Sequence, residues 1–537
     1  MASAARFISG PSGIWNVTTG DDERINKLSI AASPPLPRVD LGGRPIVYPL
    51  NGMSEYASLW LLSLDTMKTI CLVLLVIAVS MTKDSFADLP RYDLMIHNVT
   101  TIDPIAGQRE NQSVFIEDNK IIAVISSTED SASAVTGNLK AANIIDGSGH
   151  FLIPGLWDMH VHITYEPRLI DQMPALFLDY GITSVRDTGA LLEKIAPEVD
   201  RWRELGREAP DIFFSGPLLD GRLVVYDGED RPEIGVANNT ASNAEAQIKK
   251  LKSAGVDFIK IYELVNPEVF QAMVETAARE QLPIAAHVPL SMTADTAGPL
   301  VDSMEHLRNI EIACADNADE LHALRSSALN QPDSRSGYEV RSHLHSSQRP
   351  KALETANPRS DRCRRIIQTL TDTIQVPTLR LNTIARYSPT LRSDWLIHLE
   401  RLPKSLAQDW LESADYWATR PSALGDLMSD WSLELVAEMQ EQNVPIGAGT
   451  DTPIAQAIPG YSLHTELERL VDAGLTEQQA LFAATIRPAE FFKLSGSMGQ
   501  IRVGMEADFV LLRKNPLVDI RHSRSIEAVI SNGIRVR

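Results

Sequence analysis

Apolar positions divide the chain into stretches of different period. From Tyr92 to about His150, short apolar runs alternate with turn residues (DLMIHNV, SVFIEDNKIIAVI, NIIDGSGHF). Alternation with β-branched side chains predicts strands of a small antiparallel sheet. The last forty or so residues look the same: ADFVLLR, then IEAVISNGIRVR with an Asn-Gly turn. Both ends of the chain are therefore predicted to meet in one small β-sandwich. Between them, strand-like runs recur at 151–163, 180–189, 211–219, 256–263, 282–289, 303–307, 373–379 and 444–451. Helical patterns such as SNAEAQIKKLKSAG and PEVFQAMVETAAREQ separate most of them.

Eight strand-plus-helix repeats over about 340 residues predict an α/β fold, a (β/α)8 TIM barrel. The predicted boundaries are 151–490 for the barrel and 88–150 plus 491–537 for the composite sandwich. Residues 315–360 are polar, rich in Ser, Arg and Asn, and are expected to form an irregular excursion or lid. Residues 67–87, MKTICLVLLVIAVSMTKDSFA, have a basic residue, an apolar run and small residues before Asp88. That is the anatomy of a secretory signal peptide beginning at an internal methionine. An uncleaved anchor or a buried strand is the alternative, although the run is shorter than the roughly 20 residues a bilayer span needs. Translation is expected to start at Met67, with 1–66 unstructured and the enzyme exported to a periplasmic or extracellular space.

Composition narrows the class of partner. Lys+Arg number 50 and Asp+Glu 70, a net charge of −20, which argues against nucleic-acid binding. Three cysteines, Cys71, Cys314 and Cys363, form neither a disulfide scaffold nor a zinc knuckle. The expected partner is a small-molecule substrate, with no stable membrane anchor and with self-association left open.

The chemistry gathers at strand ends. In Trp157-Asp158-Met159-His160-Val161-His162, alternation points His160 and His162 the same way, about 7 Å apart along one face. His287, His306 and Asp451 each lie at the carboxyl end of their own predicted strand, where barrel active sites are built. Imidazoles and a carboxylate suit Zn²⁺ or a similar divalent ion. In VDFIKIYE, Lys260 shares a face with Val256, Phe258 and Tyr262 and points into the barrel. A lone ammonium there must be paired, neutralised or modified. Arg186, Asp187 and Arg308 are weaker candidates: an arginine near the mouth would suit a substrate carboxylate, but each also suits a structural ion pair. His464 and Glu466 would be supporting or substrate-contacting groups. His97, His343, His345, His398 and His522 lack motif context and are read as surface residues.

These motifs together resemble the amidohydrolase superfamily: the HxH, the strand-four Lys, single histidines on strands five and six, and AGTD on strand eight. The resemblance covers roughly residues 92–537 and includes IPGLWDMHVH, GITSVRDTG, LHTELERLVDAGLTEQQALFAAT and GSMGQIRVGMEADFVLLRKNPL. It is nearest to the imidazolonepropionase-like and Xaa-Pro-dipeptidase-like branch. It implies two divalent ions, zinc by preference: His160, His162 and Asp451 would hold the deeper one, and His287 and His306 the more exposed one. A CO2-derived carbamate on Lys260 and a hydroxide would bridge them. Asp451 would relay the proton to the leaving amine, and Tyr262 would steady the developing oxyanion. The implied reaction is hydrolysis of an amide or peptide bond in a dipeptide or N-acyl amino acid. Two rivals stand beside it. One is a mononuclear cyclic-amide or amidine hydrolase, or deaminase, with Lys260 structural; the other is a non-catalytic metal-binding protein.

Overall fold

The chain ends pair before the middle begins. In the computed structural model, which describes residues 92–127, 141–228, 231–330 and 334–537, the first strands are β1 (Leu94–Asp103), β2 (Gly107–Glu117), β3 (Lys120–Ser126), β4 (Asn143–Asp146) and β5 (Phe151–Pro154). The expectations for residues 1–66 and the signal-like segment 67–87 lie outside the described residues. Next come β6 (Leu156–Val161), β7 (Ile182–Asp187), β8 (Asp211–Phe214), β9 (Leu218–Asp220), β10 (Gly235–Ala237), β11 (Ile259–Ile261), β12 (Ile284–Ala286), β13 (Ser303–Glu305) and β14 (Ile374–Val376). The chain closes with β15 (Phe509–Leu512), β16 (Ile526–Ser531) and β17 (Ile534–Arg535).

The terminal strands form one eight-stranded sheet in the order β17-β16-β15-β5-β1-β2-β3, with β4 also paired to β1. The join is antiparallel, with Phe151 opposite Leu512 and Ile153 opposite Val510. Leu94, Ile96, Val114 and Ile116 from one end share a buried cluster with Phe509, Leu511 and Ile530 from the other. The predicted union of the two ends is thus present as a single hydrogen-bonded sheet. Each such fully buried side chain contributes about 1.5–3 kcal/mol of transfer free energy, which fixes the register of β5 against β15.

The middle strands are parallel and fall into two sheets, β6-β7-β8 and β10-β9-β11-β12-β13-β14. β8 and β9 are successive parts of one extended run bent at Gly216, whose φ is 73°. Residues 444–451 do not form a regular strand. Hydrogen bonds nevertheless join this segment to both neighbours: Gln375 N donates to Pro445 O (2.7 Å), Gly447 N to Gln375 O (2.8 Å) and Met159 N to Ala448 O (2.9 Å). Close approach explains the glycines of GAGTD. A Cβ on Gly449 would lie 2.8 Å from the His160 Cβ and 2.7 Å from a Val376 methyl. Strand alternation in β11 is as expected: Ile259 and Ile261 enter the strand–helix core, while Phe258 packs inside with Met159, Ile374 and Val376.

Residues 315–360 correct the sequence reading. They hold two helices, Ala318–Asn330 and Gly337–Leu353, in place of an irregular excursion. The second begins with a capping box, in which Ser336 accepts from Glu339 N and Glu339 reaches back to Ser336 N. A disulfide between buried Cys314 and Cys363 (Cα–Cα 4.5 Å) clasps the base of this insertion. No helix among the described residues is long and apolar enough to cross a membrane.

Two predictions follow from this packing. The Cys314→Ala/Cys363→Ala double variant should lose about 2–4 kcal/mol, because opening the loop restores freedom to the unfolded chain; an unchanged melting temperature would show that the thiols are not joined. Asp508 lies beside Asp211 and Glu506, accepts from Asn532 N (2.7 Å), and leaves Oδ2 without a partner among the described residues. Burial and then the Asp211 charge push its carboxyl up. The folded protein therefore holds a proton that the unfolded chain releases above pH about 4, so stability falls as pH rises from there. Asp508→Asn should raise the melting temperature at pH 8 and leave it unchanged at pH 4, and equal shifts at both values would refute the assignment.

Candidate active site

Four imidazoles converge because each is held at its far nitrogen. His160 and His162 leave β6 on one face, and their Nδ1 atoms meet Glu305 Oε2 (2.6 Å) and Gly189 O (3.0 Å). His287, just after β12, meets Glu263 Oε1 through Nδ1 (2.8 Å). His306, just after β13, meets Thr378 Oγ1 (2.7 Å). Thr378 spends its own hydroxyl hydrogen on Pro377 O (2.8 Å), so it can only accept from His306. Every Nδ1 therefore faces an acceptor and carries the ring proton, which leaves each Nε2 with a free lone pair. Ring centroids lie 4.4 Å apart for His160–His306 and 4.8 Å for His287–His306.

Asp451 completes the group. Its backbone adopts a left-handed conformation (φ 62°), as do His306 (61°) and Leu307 (57°), and its N–H donates to His160 O (2.7 Å). Asp451 Oδ1 lies 3.2 Å from Nε2 of both His160 and His162. Three acceptors facing one another at that range repel unless a positive charge lies among them. His162 registers this: burial works against its protonated form, but the hydrogen bond and charge of Asp451 outweigh burial and raise its pKa. Conversely, burial and the nearby Lys260 bring His287 down to about 3, which keeps the ring neutral. Burial also holds His306 well below its ordinary value. Donor chemistry and geometry at this point fit a divalent cation.

Lys260, in the middle of β11, is 1% exposed, and its Nζ has no hydrogen-bond partner among the described residues. Burial lowers it to about 8, against the opposing pull of Glu305. Lys260 and Tyr262 line the same cavity of about 140 Å³ as the four histidines and Asp451. The Tyr262 ring lies 4.4 Å from that of His287, and burial pushes its phenol well up, so it stays a hydrogen-bond donor.

Residues outside the motifs hold this arrangement. Glu305 takes His160 with one oxygen, and Arg186 (2.7 Å) and Ser303 (2.7 Å) with the other. Glu263 takes His287 and Arg341 on Oε1 and His345 Nε2 (2.6 Å) on Oε2. His345 is therefore buried, correcting its reading as a surface residue: the helix Gly337–Leu353 turns it inward. His398 is half-buried, with Nδ1 2.6 Å from the Tyr180 hydroxyl. Arg186 lies deep beneath the mouth, donating also to Met159 O, and Asp187 accepts from Ile163 N and Gly189 N. His464 meets Tyr180 O (2.9 Å) and Ser523 Oγ (2.8 Å), away from the cavity. Glu466 accepts from Leu379 N and Arg380 N, also outside it. Glu263 and Glu305 carried a signal in the sequence, since carboxylates at strand ends are natural partners for ligand imidazoles.

Known proteins carry related architecture. Residues 237–537, more than half of the chain, match the model of the amidohydrolase family. A bottromycin amidohydrolase structure aligns with a TM-score of 0.60 at 20% identity, over 84% of this chain and 88% of that one. A Xaa-Pro dipeptidase with bound methionine aligns at 0.56 and 19%, over 83% and 99%. Molinate hydrolase aligns at 0.57 and 20%, over 82% and 94%. At such identities these structures show the fold. A dihydroorotase from Pelotomaculum thermopropionicum is 39% identical over 70 residues, 13% of this chain and 14% of that enzyme. The chain belongs to the amidohydrolase family and so to the hydrolases of carbon–nitrogen bonds.

Proposed function

We propose that this amidohydrolase cleaves the amide or peptide bond of a small substrate such as a dipeptide or N-acyl amino acid. The observation that carries the reading is the meeting of His160 Nε2 and His162 Nε2 with Asp451 Oδ1, each at 3.2 Å, beside Lys260, whose Nζ has no hydrogen-bond partner among the described residues. His160, His162 and Asp451 would hold one divalent ion, with zinc suiting the ligand set, and His287 and His306 a second. Lys260, as a carbamate formed when its amine adds to CO2 and loses a proton, would join the two sites. Bound there, the ions supply carbonyl polarisation and a water acidic enough to attack near neutral pH.

The remaining steps belong to the chain. Asp451, at the cavity floor, accepts the proton of the attacking water and returns it to the leaving nitrogen. Tyr262 donates a hydrogen bond to the carbonyl oxygen as negative charge gathers on it. Asp451 and Tyr262 are both buried, which strengthens both interactions. Hydrogen bonds from 445–452 to β14 and β6 support a closed (β/α)8 barrel over residues 151–490. The shared cluster of the two chain ends supports a small separate domain from 88–150 and 491–537. A buried disulfide suits an oxidising compartment and supports export.

A mononuclear enzyme is the second reading, favoured by His160, His306 and Asp451, whose ligand atoms all lie within 4.8 Å of one another. Metal analysis separates the two. Two equivalents per chain are expected in protein prepared with zinc and bicarbonate, falling to one or fewer in Lys260→Ala; one equivalent, unchanged by that substitution, would establish the mononuclear form. On a dipeptide and N-acyl amino acid panel, Tyr262→Phe should lower kcat by about 10²-fold with KM less affected. An unaltered kcat would remove Tyr262 from the reaction, and inactivity of the metal-loaded protein on all amides would overturn the reading itself.

A further inference from the structure

Three carboxylates gather at the seam between the terminal sheet and the strands that follow it. Glu506 and Asp508 lead into β15, and Asp211 opens β8. One oxygen of each lies within 4.8 Å of those of the other two. Positive charge is scarce there. The partly exposed Lys120 reaches Glu506 Oε1 through Nζ (3.1 Å), and neither Asp211 nor Asp508 has an ion pair among the described residues. Two further buried oxygens lack partners. Asp508 is 9% exposed, and Asn532 N takes its Oδ1 (2.7 Å), leaving Oδ2 to the cluster with no donor among the described residues. Ser184 stands opposite Asp211 in the adjoining strand β7, so the two side chains leave the sheet on one face. It is wholly buried, and its Oγ has no hydrogen-bond partner among the described residues.

Carboxylates gathered at this range repel one another, and one ammonium on the solvent side does not balance three of them. A dry carboxylate oxygen is costly unless a cation or a donor meets it. The donor set narrows the choice of cation. It is made of oxygens alone, with no imidazole or thiolate, which favours a hard ion over zinc. Calcium takes about 6–8 oxygens in a flexible shell, whereas magnesium demands a near-ideal octahedron. Asp211 and Glu506 keep some access to solvent, so water can fill the positions that protein oxygens leave.

We propose that Asp211, Glu506 and Asp508, with Ser184 beside them, form a calcium site that clamps the terminal sheet to β8. The ion takes the place of the proton that Asp508 keeps in ion-free protein and ties two segments almost 300 residues apart in the chain. The site shares no residue with the histidine cluster and does not rest on the hydrolase reading. Calcium modules of extracellular proteins work at a Kd of about 10⁻⁴–10⁻³ M, the range this partly wet site suits.

The test follows melting at pH 8 in zinc-loaded protein freed of excess ion, with NaCl matching ionic strength. Calcium at about 10 mM should raise the melting temperature by about 2–5 °C along a saturable curve, and magnesium by less. The double variant Asp211→Asn/Asp508→Asn should lose this response. Glu506→Gln, at the partly exposed ligand, should need at least about tenfold more calcium for the same shift, and it decides the matter if the double variant does not fold. Terbium(III), an oxygen-seeking ion of similar size, gives a second readout. Trp157 pairs with Ser184, so it stands two strand spacings from Asp211, about 10 Å. Indole excitation should therefore sensitise one equivalent of bound terbium in wild-type protein and none in the double variant. A melting temperature indifferent to calcium, an equal response to magnesium or NaCl, a calcium response kept by the folded variants, or terbium emission unchanged by them would overturn the proposal. A calcium shift without cleavage of any amide would sink the hydrolase and leave the site. Cleavage without a calcium shift would do the reverse.

Discussion

The site depends on one constraint: each of the four cavity imidazoles is gripped at Nδ1 by an acceptor that belongs to the scaffold. With that edge fixed, Nε2 has a single direction and a free lone pair, and four rings present their basic nitrogens to the same small volume. Two of the four acceptors are carboxylates, and each is itself held by an arginine. Arg186, then Lys260, keeps Glu305 ionised against strong burial, and Arg341, then His345, does the same for Glu263. These charges stay in place because the pairs satisfy one another in a dry interior. A ring released at Nδ1 could rotate or take up a proton, and its contribution to cation binding would go with it.

The same carboxylates tie the chemistry to more distant parts of the molecule. Glu305 links β13, β6 and, through Arg186, β7, so three strands from two sheets meet at one side chain. The Arg186 guanidinium also lies 4.6 Å from the Phe491 ring centroid, joining this network to the apolar plug beneath it. Glu263 links the end of β11 and His287 to the helix Gly337–Leu353. That helix belongs to an insertion clasped by a disulfide and started by a capping box, so its position over the cavity is set by covalent and local interactions. A segment of mostly polar composition thereby becomes part of the wall against which a substrate would lie.

Much of this was legible in the residues. Alternation placed His160 with His162 and Lys260 with Tyr262, because a strand's period of two is enforced by its backbone. The β-rich ends announced their common sheet through paired apolar runs, and the helix over 267–280 through its apolar period and Pro267 at the first turn. The polar insertion misled because its helices bury only a narrow face and lack a strong apolar stripe. The pair Ser336 and Glu339, spaced as a capping box, is the local signal that goes with the start of the second helix. His345 had no motif to distinguish it, since its burial comes from a carboxylate 82 residues earlier in the chain.

By itself, the sequence determined which residues could serve as metal ligands and which face of each strand they occupy. Those properties follow from side-chain chemistry and from backbone geometry that repeats every two or four residues. Only the tertiary structure decided that the four histidines and Asp451 converge, and that Glu263 and Glu305 orient two of the rings. These are relations between residues far apart in the chain, set by how strands and helices pack, and no local pattern encodes them.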